Sequence, residues 1–485
     1  MAELGQPIAS TSEERQIAIR LSTKDSNYSI PPAKFLVPAS WRRYQLSELI
    51  NKVLENDSPI PFDFLIDQTL LRTSLGSYCQ QTNTSEEIVL DVEFLPSTLP
   101  PQLDSTVPAE DWVSDVDLSV PGAILSASYA GTLSLQSTAA AALTFSGHDL
   151  SVLSSCYIHQ PVNGVKDGKK LVASGGMDRV ARVWEYETPS LSLTDLDSTP
   201  AVSTPKTLYT LSLHQAPVST VRSRSSPLLS SSASSTTSAP HLITGGWDGL
   251  IGVWDLNKGV NEEEALGGGD MERSKKKRRK STTNEIIKNK TPMSVLRGHT
   301  NKVSRALFDR NDASVAYSAG WDHSVRVWDL EHGIEKENKA SDKVHLDLTQ
   351  LSTPSLLLTG STDRLLSLFD LRTSSLSSIS LTLSGHTGPV SSVASHPTNG
   401  LMFVSASYDS TVKVWDARSP KQSLFSLEMP QKEGKEVGAE KDKILCVDWD
   451  GERIVAGGEG ARVATWRVNG KEGATAGDKM QVENK

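Results

Sequence analysis

The chain has 485 residues, 37% hydrophobic and 22% charged, a balance that fits a folded protein with polar loops. That length exceeds one ordinary core, so two or more folding units are expected. A net charge of -9 argues against a protein that coats nucleic acid with its whole surface. No run of about 18 apolar residues occurs, which argues against a membrane span. Met1 to Gln16 lacks the basic flank and apolar stretch of a secretory signal. Cys79, Cys156 and Cys446 share no metal-ligand spacing and read as reduced, structural, intracellular thiols.

Residues 1–15 read as a flexible N-terminus, and 16–97 as an α+β unit. Gln16 to Leu21 alternates apolar and polar residues as a strand does, and Lys34 to Val37 is a second strand closed by Pro38. Leu46 to Leu54 spaces its apolar residues as a helix. Pro61 to Ile66 alternates again, and Leu70-Leu71-Arg72 follows a short turn. Thr73 to Tyr78 predicts a short capped helix, and Ile88 to Phe94 a last strand. Strand, strand, helix, strand, short strand, short helix, strand is the ubiquitin-like order. Residues 98–111 read as a linker.

From Trp112 to Val468 the chain repeats. Asp178, Asp248, Asp322 and Asp409 each stand six residues before a tryptophan, Trp184, Trp254, Trp328 and Trp415, and Asp363 stands six before Phe369. A fixed spacing recurring every 40 to 75 residues marks WD40 blades, each of four short strands around a channel. Four residues before each Asp is a hydroxyl: Ser174, Thr244, Ser318, Thr359 and Ser405. With His148, His299 and His386, each after a glycine, and the looser match His214, these predict buried hydrogen-bonded sets, because buried polar groups need partners. Their recurrence favours a structural role over a catalytic Ser–His–Asp site. Seven units are expected. The first has Ala130 and Gln136 at the Asp and Trp positions, and the seventh has Gly460 before Trp466. The segment around Trp112 to Val120 is the expected source of the strand that completes the last blade.

Three polar inserts interrupt the repeat, at about 189–207, 223–240 and 257–292, and read as mobile loops. Residues 469–485 read as a disordered tail. The third insert holds an unbroken cationic run, Lys275, Lys276, Lys277, Arg278, Arg279 and Lys280. It suits either a nuclear import signal or contacts to RNA phosphates; the absence of interleaved aromatics favours import. No Walker-type loop, zinc-spaced Cys/His cluster or nucleophile elbow occurs, so neither an enzyme nor a cofactor is expected. The expected fold class is an N-terminal α+β ubiquitin-like domain followed by an all-β seven-bladed WD40 propeller.

Five stretches carry a resemblance: Tyr44-Gln45-Leu46-Ser47-Glu48-Leu49-Ile50-Asn51, Pro61 to Ile66, Leu70-Leu71-Arg72-Thr73-Ser74-Leu75, Leu99-Pro100-Pro101 and Glu110-Asp111-Trp112-Val113. Together they resemble the Ytm-type WD-repeat ribosome biogenesis factors, the WD40 subunit of the PeBoW complex. The resemblance implies a non-enzymatic role in large (60S) subunit assembly and in maturation of the large-subunit and 5.8S rRNAs. It also implies residence in the nucleolus and nucleoplasm. The implied partners are a Bop/Erb-type WD40 protein bound directly, a Pescadillo-type protein in the same complex, the pre-60S particle and the AAA ATPase midasin; direct rRNA contact stays open, and no membrane is involved. Midasin would bind the ubiquitin-like domain through a MIDAS metal ligated by a carboxylate of this chain. Counting back from the last strand places that carboxylate at Glu87, with Glu86 as second choice. Two other readings are a ubiquitin-pathway WD40 adaptor and a Notchless-type pre-60S factor. No Gly-Gly pair ends the first domain, which disfavours conjugation, and a Notchless-type propeller would have eight blades.

Overall fold

The computed structural model describes residues 15–24, 28, 30, 33–55, 59–85, 88–97, 99–137, 140–163, 165, 168–187, 205–224, 241–258, 260–261, 288–353, 355–372, 379–430 and 441–468. The chain divides into two compact units, Met1–Pro100 with Ala417–Gln422, and Pro101–Asp416 with Ser423–Lys485.

The first unit runs β1 (Gln16–Ser22), β2 (Lys34–Pro38), α1 (Arg43–Val53), β3 (Phe62–Ile66), β4 (Thr69–Leu70), α2 (Leu75–Thr82) and β5 (Leu90–Pro96). The order matches the sequence expectation, with shifts at the ends. α1 starts three residues earlier than the apolar spacing indicates, because polar Arg43, Tyr44 and Gln45 form its first turn. There the Arg42 N–H donates to the Gln45 side chain. α2 starts later and runs further, since Ser74 caps it by accepting from the Ser77 N–H. It ends where Asn83 turns left-handed. The sheet order is β2-β1-β5-β3-β4. Its central strand, β5, lies parallel to β1 and antiparallel to β3. Ile17, Ile19, Leu46, Ile50, Phe62, Phe64, Val92 and Phe94 fill the core between sheet and helices. One fully buried Leu, Ile or Phe side chain contributes roughly 1.5–3 kcal/mol of transfer free energy.

The second unit contains, among the described residues, seven sheets, each built on four antiparallel strands. Their innermost strands are Val113–Asp117, Val152–Ile158, Val218–Ser223, Val303–Phe308, His345–Gln350, Val390–Ser395 and Ile444–Trp449. Each packs on the next and the seventh on the first, which closes a ring. These are the seven expected blades.

Two details correct the sequence reading. The last blade is completed by β6 (Gln102–Pro108), which pairs antiparallel with Arg462–Arg467. Residues 112–120 instead supply the innermost strand of the first blade. The propeller therefore begins inside the stretch read as a linker. β6 is almost wholly exposed and is held by backbone hydrogen bonds, so it carries no apolar alternation to read. The insert 257–292 is also not all loop: Val260–Asn261 and Lys288–Lys290 are strands. Lys288–Lys290 adds in parallel to Lys206–Leu211, which makes the second blade six-stranded. The other two inserts are shorter than expected at their ends, because residues 206–207 and Ser223 belong to strands. Residues 469–485 lie outside the described residues.

The turn between the second and third strands of every blade places one residue at positive φ: Gly131, Arg179, Gly249, His323, Arg364, Ser410 and Ala461. The left-handed conformation strains a residue with a Cβ. Five blades accept that strain; two use glycine.

Candidate functional site

Four blades bring the predicted sets together. In the second, His148 Nδ1 lies 2.9 Å from Asp178, His148 Nε2 lies 2.8 Å from Ser174 Oγ, and the Trp184 indole N–H donates to the same Oγ at 2.8 Å. The third blade repeats this with His214, Asp248, Thr244 and Trp254 at 3.1, 3.0 and 2.9 Å. His299, Asp322, Ser318 and Trp328 follow at 2.9, 2.7 and 2.8 Å. His386, Asp409, Ser405 and Trp415 follow at 2.9, 2.7 and 2.8 Å.

One proton order satisfies each set. Nδ1–H donates to the carboxylate, Nε2 accepts from the hydroxyl, and the hydroxyl oxygen accepts from the indole. Burial alone would raise the Asp322 carboxyl, but the hydrogen bonds it accepts from His299, Ser324 and the Thr300 N–H outweigh it and hold the group well below the usual range. Asp178, Asp248 and Asp409 are lowered in the same way. Ser174, Thr244, Ser318 and Ser405 are fully buried, with the hydroxyl committed on both sides. That arrangement ties the outer strands to the turn above the next blade and leaves no nucleophile facing solvent.

The fifth blade departs from the pattern. Thr359 and Asp363 keep their spacing, but Phe369 has no N–H to donate, and Thr359 Oγ1 turns to the Ser367 carbonyl at 3.4 Å. Asp363 is exposed. The set predicted there from spacing does not form.

A second polar system, missed in the sequence, lines the channel. Asp115 Oδ2 accepts from Ser154 Oγ and the Ser155 N–H at 2.8 and 3.0 Å. Arg222 donates to both Asp115 oxygens at 2.9 and 3.0 Å. Ser154 Oγ in turn accepts the Val221 N–H, so the first three blades are laced together. Asp347 repeats the device: it pairs with Arg305, accepts from Ser392 Oγ and the Val393 N–H, and Ser392 Oγ accepts the Val447 N–H. Arg305 also stands 3.8 Å from Asp115, across the channel. Burial would push the Asp115 carboxyl up; Arg222 and Arg305 overcome it and lower it. Buried carboxylates are kept only when paired and hydrogen-bonded. The available signal was an Asp or Arg in the middle of an apolar innermost strand.

The remaining calls lie elsewhere. Glu86, Glu87 and Lys275 to Lys280 lie outside the described residues. Glu87 stands three residues before β5, and the cationic run stands between the paired strands Val260–Asn261 and Lys288–Lys290. Cys79, Cys156 and Cys446 are buried and unbridged, and burial pushes the Cys156 and Cys446 thiols up, so both are protonated and unreactive. Among the described residues, no group of three or more His, Cys, Asp or Glu side chains converges as a metal site.

A ring of seven blades with repeated His–Ser/Thr–Asp–Trp sets, preceded in the chain by a ubiquitin-like unit, defines a WD40-repeat propeller protein with an N-terminal α+β domain. The family description "NLE (NUC135) domain" matches residues 17–79. The description "WD domain, G-beta repeat" matches 142–185, 205–255, 290–329 and 377–416, the segments that hold the four complete sets. The WD40 propeller domain of Doa1 superposes with a TM-score of 0.52 over 77% of this chain and 98% of that one, at 18% identity, a likeness of fold alone. Ribosome biogenesis protein YTM1 of Laccaria bicolor is 35% identical over 457 residues, 92% of this chain and 93% of the relative. That of Coprinopsis cinerea is 34% identical over 97% and 98%, and that of Aspergillus oryzae 31% over 96% and 97%. The chain belongs to the YTM1 family of ribosome biogenesis factors.

Proposed function

We propose that this ribosome biogenesis factor is a non-catalytic scaffold of large-subunit assembly, the WD40 member of a PeBoW-type complex in the nucleolus and nucleoplasm. The propeller is held directly by a Bop/Erb-type WD40 protein, which also holds a Pescadillo-type protein, and the assembly sits on the pre-60S particle. The ubiquitin-like domain is the handle: midasin takes a carboxylate of this domain, Glu87 or else its neighbour Glu86, as a ligand to its MIDAS metal, and ATP hydrolysis then releases the factor. A hard divalent cation such as Mg²⁺ prefers oxygen ligands and is commonly held by one or two carboxylates.

The observation that carries this reading is the joining of an NLE-type domain to a seven-sheet ring in one chain, over nearly the full length of the YTM1 relatives. The position of Glu87 supports it further. The residue leads into β5, the central strand of a five-stranded sheet, so a pull applied there enters a strand hydrogen-bonded on both sides. The cationic run Lys275 to Lys280 serves nuclear import, with rRNA phosphate contact as its other reading.

The test is affinity purification of the tagged full chain from nuclear extract. Pre-60S particles with both partner proteins are expected, whereas ubiquitin ligase subunits in their place would reject the scaffold reading. Glu87→Ala should abolish midasin binding and leave the Bop/Erb-type protein bound; unchanged midasin binding would reject the ligand assignment. A reporter carrying residues 257–292 should become nuclear, and one that stays cytoplasmic would reject import.

A further inference from the structure

β5 (Leu90–Pro96) and β6 (Gln102–Pro108) follow one another in the chain, with only residues 97–101 between them, yet they belong to different units. β5 is the central strand of the first sheet, parallel to β1 on one edge and antiparallel to β3 on the other. Leu90, Val92 and Phe94 are buried in the core. The far end of the strand is pinned as well. The Ser97 N–H donates to the Pro61 carbonyl at 2.8 Å, and the Ser97 hydroxyl accepts from Arg43 at 2.7 Å.

β6 is held far more lightly. Among the described residues it is the edge strand of the seventh blade and pairs with Arg462–Arg467 alone. Every residue in it but Val107 is exposed. The register breaks between Thr465 and Trp466. Arg467 reaches Asp104 at 3.4 Å, but both side chains are close to half exposed, and such a surface pair adds little. Beyond Pro108 the grip tightens, because Val113, Val116 and Leu118 are buried with Cys446, Val455 and Val463. A segment with exposed backbone hydrogen bonds and few buried apolar contacts opens first.

A load that enters β5 at its start and leaves at its end runs along the covalent backbone of one strand. That strand is already extended, at about 3.3 Å per residue against a maximum of about 3.6 Å, so stretching it gains almost no length. β1, α1, β3 and α2 precede β5 in the chain and lie outside this path. The first element in the path that can yield is β6.

We propose that a pull at Glu87 bypasses the core of the ubiquitin-like domain and peels β6 from the seventh blade before either unit unfolds. That side of the ring is then closed only by the packing of Val113–Asp117 on Ile444–Trp449. This rests on midasin holding the chain at Glu87. The domain stays folded and can still be gripped, while the propeller is loosened as it is drawn from its partners.

Optical tweezers on the purified full chain test this with no motor present. One tether is attached through Glu87→Cys and the other through Glu331→Cys, on an exposed turn of the fourth blade; the three native cysteines are buried. The first release should be residues 102–112, at most about 40 Å of extended chain, and it should reverse when the load is relaxed. Ser105→Cys with Thr465→Cys places thiols at opposed positions of the two strands. Oxidation of that pair should cut the release to residues 102–104, and reduction should restore it. Moving the first tether to Arg15→Cys puts the whole first unit in the load path and should add a release of up to about 290 Å. A first release longer than about 40 Å would overturn the proposal. So would a full-length short release under the oxidised pair, and so would identical traces from the two tether positions. Midasin binding to Glu87→Ala is a separate measurement, which decides the ligand assignment and leaves these traces unaffected.

Discussion

His345 meets Phe369 edge to face, with ring centroids 5.8 Å apart. His345 opens the innermost strand of the fifth blade opposite Ser361, the register that Val152, Val218, Val303 and Val390 hold in their blades. Where those blades carry valine and a tryptophan-centred set, this one carries an aromatic pair. Both imidazole nitrogens are buried without a hydrogen-bond partner among the described residues.

That position makes the fifth blade acid-sensitive. Burial pushes the His345 imidazole down to about 4, whereas in the unfolded chain it titrates near the usual value of about 6.5. Between these values the unfolded chain binds the proton and the folded one does not. Stability present above about pH 6.5 is therefore lost as pH falls toward about 4, by on the order of 3 kcal/mol. Urea unfolding of His345→Val at pH 7.5 and 5 should show a markedly flatter pH dependence than the parent. Equal slopes would mean that another group dominates.

The tetrads and the fifth blade predict unequal costs for the same deletion. Ser318→Ala removes an acceptor from Trp328 and a donor from His299, leaving two buried groups unpaired, and should cost about 2–3 kcal/mol in urea unfolding. Thr359→Ala loses only a long bond to a carbonyl and should cost less, about 1 kcal/mol or under by the hydrogen-bond component. A reversed order would contradict the assignment of these hydroxyls.

Gly249 has φ +76, and a Cβ there would lie 2.7 Å from the His299 carbonyl oxygen. Gly249→Ala should therefore lose more than the roughly 1–2 kcal/mol of left-handed strain alone. Gly333, at φ +68 with nothing within 4 Å, is the control, and Gly333→Ala should show the strain without the clash. Thermal midpoints of the two variants measure the difference.

Arg222→Met leaves Asp115 buried with only Arg305, 3.8 Å away, as a counter-charge. Breaking a buried pair from one side costs about 3–5 kcal/mol. The double change with Asp115→Asn should recover part of that loss, and a double-mutant cycle in urea reads the coupling directly.

These positions show what a sequence makes visible. The blades were legible because Asp178 to Trp184 and its copies repeat a local spacing, and β1 to β5 were legible from alternation and helical periodicity. β6 was not, because an exposed strand paired through its backbone needs no side-chain pattern. The Asp115–Arg222 pair spans 107 residues, and its partners come together only once the ring exists. His345 stood in plain view, yet nothing local distinguishes a buried imidazole from the exposed His332. Glu87 is proposed on resemblance to a family; its residue type and spacing alone would not single it out.

The clasp between β6 and Arg462–Arg467 joins positions roughly 350 residues apart. A ribosome delivers one half of it before the other strands of the ring and the other half after them. Until residues 444–467 are made, β6 has no strand to pair with and the first blade lacks its neighbour on that side. Circularity is thus acquired in a single late event. A chaperone that shields the unfinished arc would have its longest task on this segment, and a truncated transcript would leave an open arc with two unpaired rims.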